Sequence, residues 1–287
     1  MRFSILVILF SRNAFGQNTF HYPTTFSQYY NQYALLNPAA TAAASRLALR
    51  TGNQFNSGFY SRVRCFFALA EFKLGKGDSS QHALGMSFMN NKEGDLLEFN
   101  RSYLQYALHL PISEVWTLSS GVSVGFLNFS ATQTVTASSI SSFAPDGSIG
   151  LWLYRDRELF GWSASQLFNK PIWVVQERIP INRFYRFIYA RTIPLSPHIK
   201  CTPGFQVAFN SKLIGADLNA SLLLKDVVML GASYRTHRGT SYLFGFKDLT
   251  FIKNQLDVLF SYNTPWPNAN FTYIQTYELS LSYSIKK

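Results

Sequence analysis

The chain has 287 residues and a formal net charge of +11, and 16% of its residues are aromatic against 14% charged. A soluble domain carries about 25% charged residues, so this surface has exchanged charge for rings. Two cysteines far apart, five histidines without metal spacing and no Gly-rich phosphate loop ahead of a helix leave a disulfide framework, a metal site and a nucleotide cofactor without support.

Arg2, the apolar run 3–10 and the small residues of Ala14-Phe15-Gly16 predict a secretory signal peptide over residues 1–16, cut between Gly16 and Gln17. That run is well below the roughly 20 residues a spanning helix needs, and no later stretch is long enough. Backbone groups in lipid must be satisfied internally, so a chain that crosses a membrane without spanning helices does so as a closed barrel. The positive charge comes with no basic recognition helix or RNA-binding motif, so no nucleic-acid partner is expected; scattered arginines suit anionic lipid headgroups or an acidic protein.

Residues 17–45 are polar and aromatic, then Ala-rich, without clean alternation, which predicts a segment on the periplasmic side or in a lumen, with one helical turn between Ala39 and Ala44. Phe26, Ser27, Gln28, Tyr29 and Tyr30 precede Asn37-Pro38, where proline restrains Asn37 to extended geometry and the chain bends. Rings outside strands must be buried against something. They either dock a partner or plug the barrel's own periplasmic mouth.

From residue 46 to 287, alternation of period two dominates, in segments of about ten residues. It predicts an all-β transmembrane antiparallel barrel of about 14 strands, within a range of 12–16: 46–55, 61–73, 82–90, 96–110, 115–128, 147–154, 158–168, 183–195, 199–209, 214–224, 227–236, 240–248, 255–263 and 273–285. Turns on one rim are tight, and longer loops are expected at 129–146, 169–182 and 264–271. In the last strand Tyr277, Leu279, Leu281, Tyr283 and Ile285 oppose Thr276, Glu278, Ser280, Ser282 and Ser284, a contrast that separates lipid from lumen. Asp217, Asn219, Arg235, Asp257 and Glu278 fall on the inferred lumenal face, where a polar network filling a narrow barrel is the expectation. Trp116, Trp152, Trp162, Trp173 and Trp266 lie near predicted rims, as in aromatic belts, and Cys65 and Cys201 read as isolated thiols in the wall.

One enzyme-like pattern occurs, Gly121-Val122-Ser123-Val124-Gly125. A nucleophile elbow needs a sharp strand-to-helix turn, whereas these residues sit inside a well-alternating strand, so no catalysis is expected.

Phe26-Ser27-Gln28-Tyr29 with Leu36-Asn37-Pro38-Ala39 resembles the opening of PorP/SprF-like proteins of the type IX secretion and gliding systems of Bacteroidota. Weaker similarity runs through Gly150-Leu151-Trp152-Leu153-Tyr154, Gly161-Trp162-Ser163-Ala164-Ser165-Gln166-Leu167, Leu230-Gly231-Ala232-Ser233-Tyr234-Arg235 and Tyr277-Glu278-Leu279-Ser280-Leu281-Ser282-Tyr283. The resemblance implies a bacterial outer-membrane barrel without catalysis or cofactor. Its partners would be outer-membrane lipid, periplasmic secretion subunits and an exported adhesin-like substrate. A small-solute porin is the competing expectation.

Overall fold

The computed structural model describes residues 26–58, 61–75, 80–132, 139–174, 177–179, 181–211, 214–236, 239–251, 254–264 and 275–285. The expected signal peptide, its cleavage point and Trp266 lie outside the described residues.

Alternating side chains build the strands in chain order: β1 (Leu47–Asn56), β2 (Val63–Leu74), β3 (Gln81–Glu93), β4 (Leu97–Pro111), β5 (Thr117–Thr132), β6 (Ser139–Arg155), β7 (Glu158–Ser165), β8 (Ile172–Val174), β9 (Glu177–Ile179), β10 (Phe184–Arg191), β11 (Ile193–Ser196), β12 (Ile199–Phe209), β13 (Ile214–Leu224), β14 (Val228–Arg235), β15 (Gly239–Phe251), β16 (Asn254–Thr264) and β17 (Thr276–Ile285). Each wall strand pairs antiparallel with its neighbours, and β1 pairs with β17 from Leu47↔Ile285 to Asn56↔Thr276, so no edge is left open. β10 and β11 both pair with β12 and form one interrupted strand, which gives a closed barrel of fourteen strands among the described residues.

The outer face carries the apolar set. On β6, Leu151 and Ile149 are exposed while Trp152 and Ala144 are buried inside. The outward run from Leu153 to Phe143 spans about 26 Å along the barrel axis at ~3.4 Å per residue and a tilt near 40°, the height of an outer-membrane apolar band. Leu47, Arg155 and Ile285 mark the rim where the first strand begins and the last one ends; with both ends of the barrel's strand sequence there, it is the periplasmic rim.

Two expectations are corrected. Residues 129–146 are not a long loop: β5 and β6 continue to Thr132 and Ser139, pairing Phe129 with Ser142 and Ala131 with Ile140. Their Ser-rich outer positions hide the alternation, while Phe129, Ala131 and Ala144 point inward and receive Ile172 of the short β8–β9 hairpin, which folds over the extracellular mouth. Trp152 is not a belt residue; it is 2% exposed, inside the barrel, with its ring 4.9 Å from that of Tyr33. Trp116 fits the belt expectation better, packing at 6.3 Å against Phe160 at the periplasmic rim. Cys65 and Cys201 are in no disulfide, and the Cys65 thiol donates to Asn91 Oδ1 at 2.7 Å.

Candidate functional site

Before entering β1, residues 26–45 line the inside of the wall around nearly its whole circumference. Three 3-10 turns, Tyr29–Asn31, Tyr33–Leu35 and Pro38–Ala40, keep this segment compact. Such turns leave backbone groups unpaired, and the wall supplies their partners.

Phe26 packs against Phe67 of β2 at 4.4 Å between ring centroids, beside Cys65 and Met89. The Ser27 amide donates to Glu278 Oε2 at 2.8 Å and the Gln28 amide to Oε1 at 3.3 Å, while Ser280 donates to Gln28 Oε1 at 2.5 Å. Tyr29 donates to Asn219 Oδ1 at 2.5 Å, and Tyr30 packs toward Met229 and Leu243. Burial pushes the Tyr30 and Tyr33 phenols up from their ordinary value, so both remain neutral hydrogen-bond donors.

At the bend, Asn37 is extended (φ −146°, ψ 112°), as proline at the next position requires. Its Oδ1 accepts from the Ala39 amide at 3.0 Å, and its Nδ2 donates to the carbonyls of Leu151 and Trp162, both at 3.0 Å. Ser163 and Arg186 donate to the Leu36 carbonyl, Gln105 to that of Ala34, and His109 Nε2 to that of Thr41. Ala42 donates to Glu71 Oε1 at 2.7 Å, and Arg50 holds the other oxygen of that carboxylate.

Glycine makes this approach possible. Gly121 and Gly150 are register partners on β5 and β6. A Cβ on Gly121 would lie 2.6 Å from the Ala39 Cα, and one on Gly150 would enter the Asn37 side chain. The G-x-S-x-G pattern is therefore a seat for backbone, and Ser123 bonds to Ser148 Oγ at 2.5 Å.

Of the expected site residues, Phe26, Ser27, Gln28, Tyr29, Asn37 and Pro38 are buried in the lumen, and Tyr30 is partly open to the periplasmic side. Glu278 and Asn219 bind the segment directly. Asp217 accepts from Gln206 at 2.7 Å and pairs with Arg235 at 3.5 Å. Asp257 accepts from the Asp248 amide at 2.8 Å, where Asp248 (φ 54°) forms a bulge between β15 and β16. Sequence reasoning missed Glu71, Gln105, His109 and Ser163, and also the glycine seat, whose signal was glycine inside strands where another backbone approaches.

The segment divides the lumen. On the periplasmic side lies a vestibule of about 550 Å³ with Tyr30, Tyr33, Trp152 and Tyr154 in its lining and Arg155, Asp156, Lys247 and Asp248 at its rim. Beyond it lies a space of about 70 Å³ among Arg101, Tyr103, Asp146 and Arg186.

Glu278→Ala removes the acceptor of two buried amides, each costing about 1–3 kcal/mol when orphaned. Limited proteolysis should then cut within residues 26–45 of a barrel that keeps its folded mobility on gels. Protease resistance equal to that of the parent would remove Glu278 as an anchor.

The family model described as type IX secretion system membrane protein PorP/SprF matches residues 18–283. No curated protein matches. Among solved structures, the Ralstonia pickettii toluene transporter TbuX aligns with a TM-score of 0.60 at 9% identity, covering 88% of this chain and 93% of its own. The Pseudomonas putida toluene transporter TodX gives 0.54 at 9%, over 88% and 93%. Acinetobacter baumannii Omp33 gives 0.51 at 10%, over 85% and 100%. At these identities the likeness is one of fold, that of an outer-membrane barrel.

Proposed function

Since this chain belongs to the PorP/SprF family of type IX secretion system membrane proteins, we propose that it supports export or surface attachment of an adhesin-like substrate through protein–protein contacts, without catalysis. The observation that carries this reading is the lumen filled by the chain's own N-terminal segment, which speaks for an anchoring or docking component and against a small-solute porin. Partners approaching from the periplasm meet the segment where Tyr30 and Tyr33 line the vestibule. The docking role of Phe26, Ser27, Gln28, Tyr29, Tyr30, Asn37 and Pro38 is part of this proposal.

Replacing Phe26, Tyr29 and Tyr30 together by Ala tests it. Loss of substrate secretion from barrels that keep their heat-modifiability on gels supports docking. Lowered barrel stability with unchanged secretion per molecule assigns the three rings to support of the wall, and the docking role falls.

A further inference from the structure

On the outer wall Arg155, Glu158 and Arg191 stand in register across β6, β7 and β10. One step toward the extracellular side, on the same face, come Leu153, Phe160 and Tyr189, and one step further Leu151, Trp162 and Phe187. The two apolar rows, with Leu118 and Phe205, enclose an outward groove of about 620 Å³. The charged row is held in place: Arg155 pairs with Glu158 and lies 4.7 Å over the Trp116 ring, and Tyr189 donates to Glu158 at 2.9 Å. Two arginines against one carboxylate leave the row positive, and in the adjoining turn exposed Arg157 and Asp156 offset each other.

We propose that this groove holds one phospholipid of the periplasmic leaflet, with an acyl chain along the apolar rows and the phosphate at Arg155 and Arg191. Three observations carry the assignment. The groove opens on the membrane face of the barrel. It ends at the periplasmic rim, where β1 begins and β17 ends. The guanidinium groups standing there match a phosphate in charge and in their planar fork of donors. Stacking on Trp116 fixes the plane of the Arg155 fork, which lowers the entropy lost when phosphate binds.

Delipidated barrel in detergent, exposed to phosphatidylglycerol vesicles, washed and weighed by native mass spectrometry, should retain one lipid. Dioleoylglycerol, which lacks the phosphate, should be lost in the wash. Arg155→Gln with Arg191→Gln should weaken retention roughly 30-fold, as expected for two arginines near an anionic headgroup. Leu153→Trp, which fills the groove, should abolish it, and Leu230→Trp on the outer face of β14, away from the groove, should not. Equal retention in Leu153→Trp and Leu230→Trp, or retention of dioleoylglycerol at the same level, would overturn the site and leave an ordinary annular lipid. Preferential retention of lipopolysaccharide would overturn the leaflet as well.

Discussion

Gly121→Val is expected to turn a closed barrel into a leaking one. The new side chain would collide with the Pro38 carbonyl carbon, 2.5 Å from the Cβ position, and with Ala39, and both are backbone that cannot rotate away. Overpacking that forces off-rotamer side chains and backbone shifts costs typically about 1–3 kcal/mol, and a clash with backbone alone belongs at the top of that range. About 3 kcal/mol multiplies the population with the segment displaced by roughly 100-fold. Reconstituted in liposomes, the variant should pass small sugars at rates the parent does not approach. Val122→Leu, one residue away on the outer face, should leave permeability unchanged. If Gly121→Val stays as tight as the parent while folding normally, the segment is not what closes the lumen.

Leu218→Arg is the second large effect. Leu218 lies at the middle of β13, 56% exposed, between Phe205 and Tyr234 on the outer face. A charge there faces hydrocarbon, at a cost of roughly 2–4 kcal/mol near the midplane. Ser282→Arg should be mild, because Ser282 faces the periplasmic vestibule and an arginine there reaches water. Ser221→Arg should not be mild: Ser221 is 5% exposed, packed on the inside between β12 and β14. The urea midpoint of the folded barrel separates the three. A Leu218→Arg barrel no less stable than Ser282→Arg would reverse the assignment of lipid and lumen faces.

The strands were legible because each separates two solvents. Tyr277, Leu279 and Leu281 against Glu278 and Ser280 is a contrast that lipid imposes on every spanning strand. It fades above the membrane, where the outward Ser130 and Ser141 have no hydrocarbon to face, and so the extracellular ends of β5 and β6 read as loop. The segment inside the barrel was only half legible. Its rings and the Asn37-Pro38 bend marked it as buried, but alternation carries no information on what it touches. Glu71, Gln105, His109 and Ser163 meet it through register between strands distant in sequence, and no local pattern encodes that register. Gly121 was visible inside an alternating strand, yet nothing in its spacing with Ser123 said which backbone it would seat.

The N-terminal segment also fixes the order of assembly. Its beginning is tied to Glu278 on β17 and its end to Glu71 on β2, the two strands that flank β1. The first part of the segment to leave the ribosome therefore completes its contacts only after the last strand has arrived, across a separation of some 250 residues. Docked, it clasps the closing seam from within. Undocked, it leaves Phe26, Tyr29, Tyr30 and Tyr33 bare, so a barrel whose seam has not joined carries its own visible mark of incompleteness for the chaperones and proteases of the envelope.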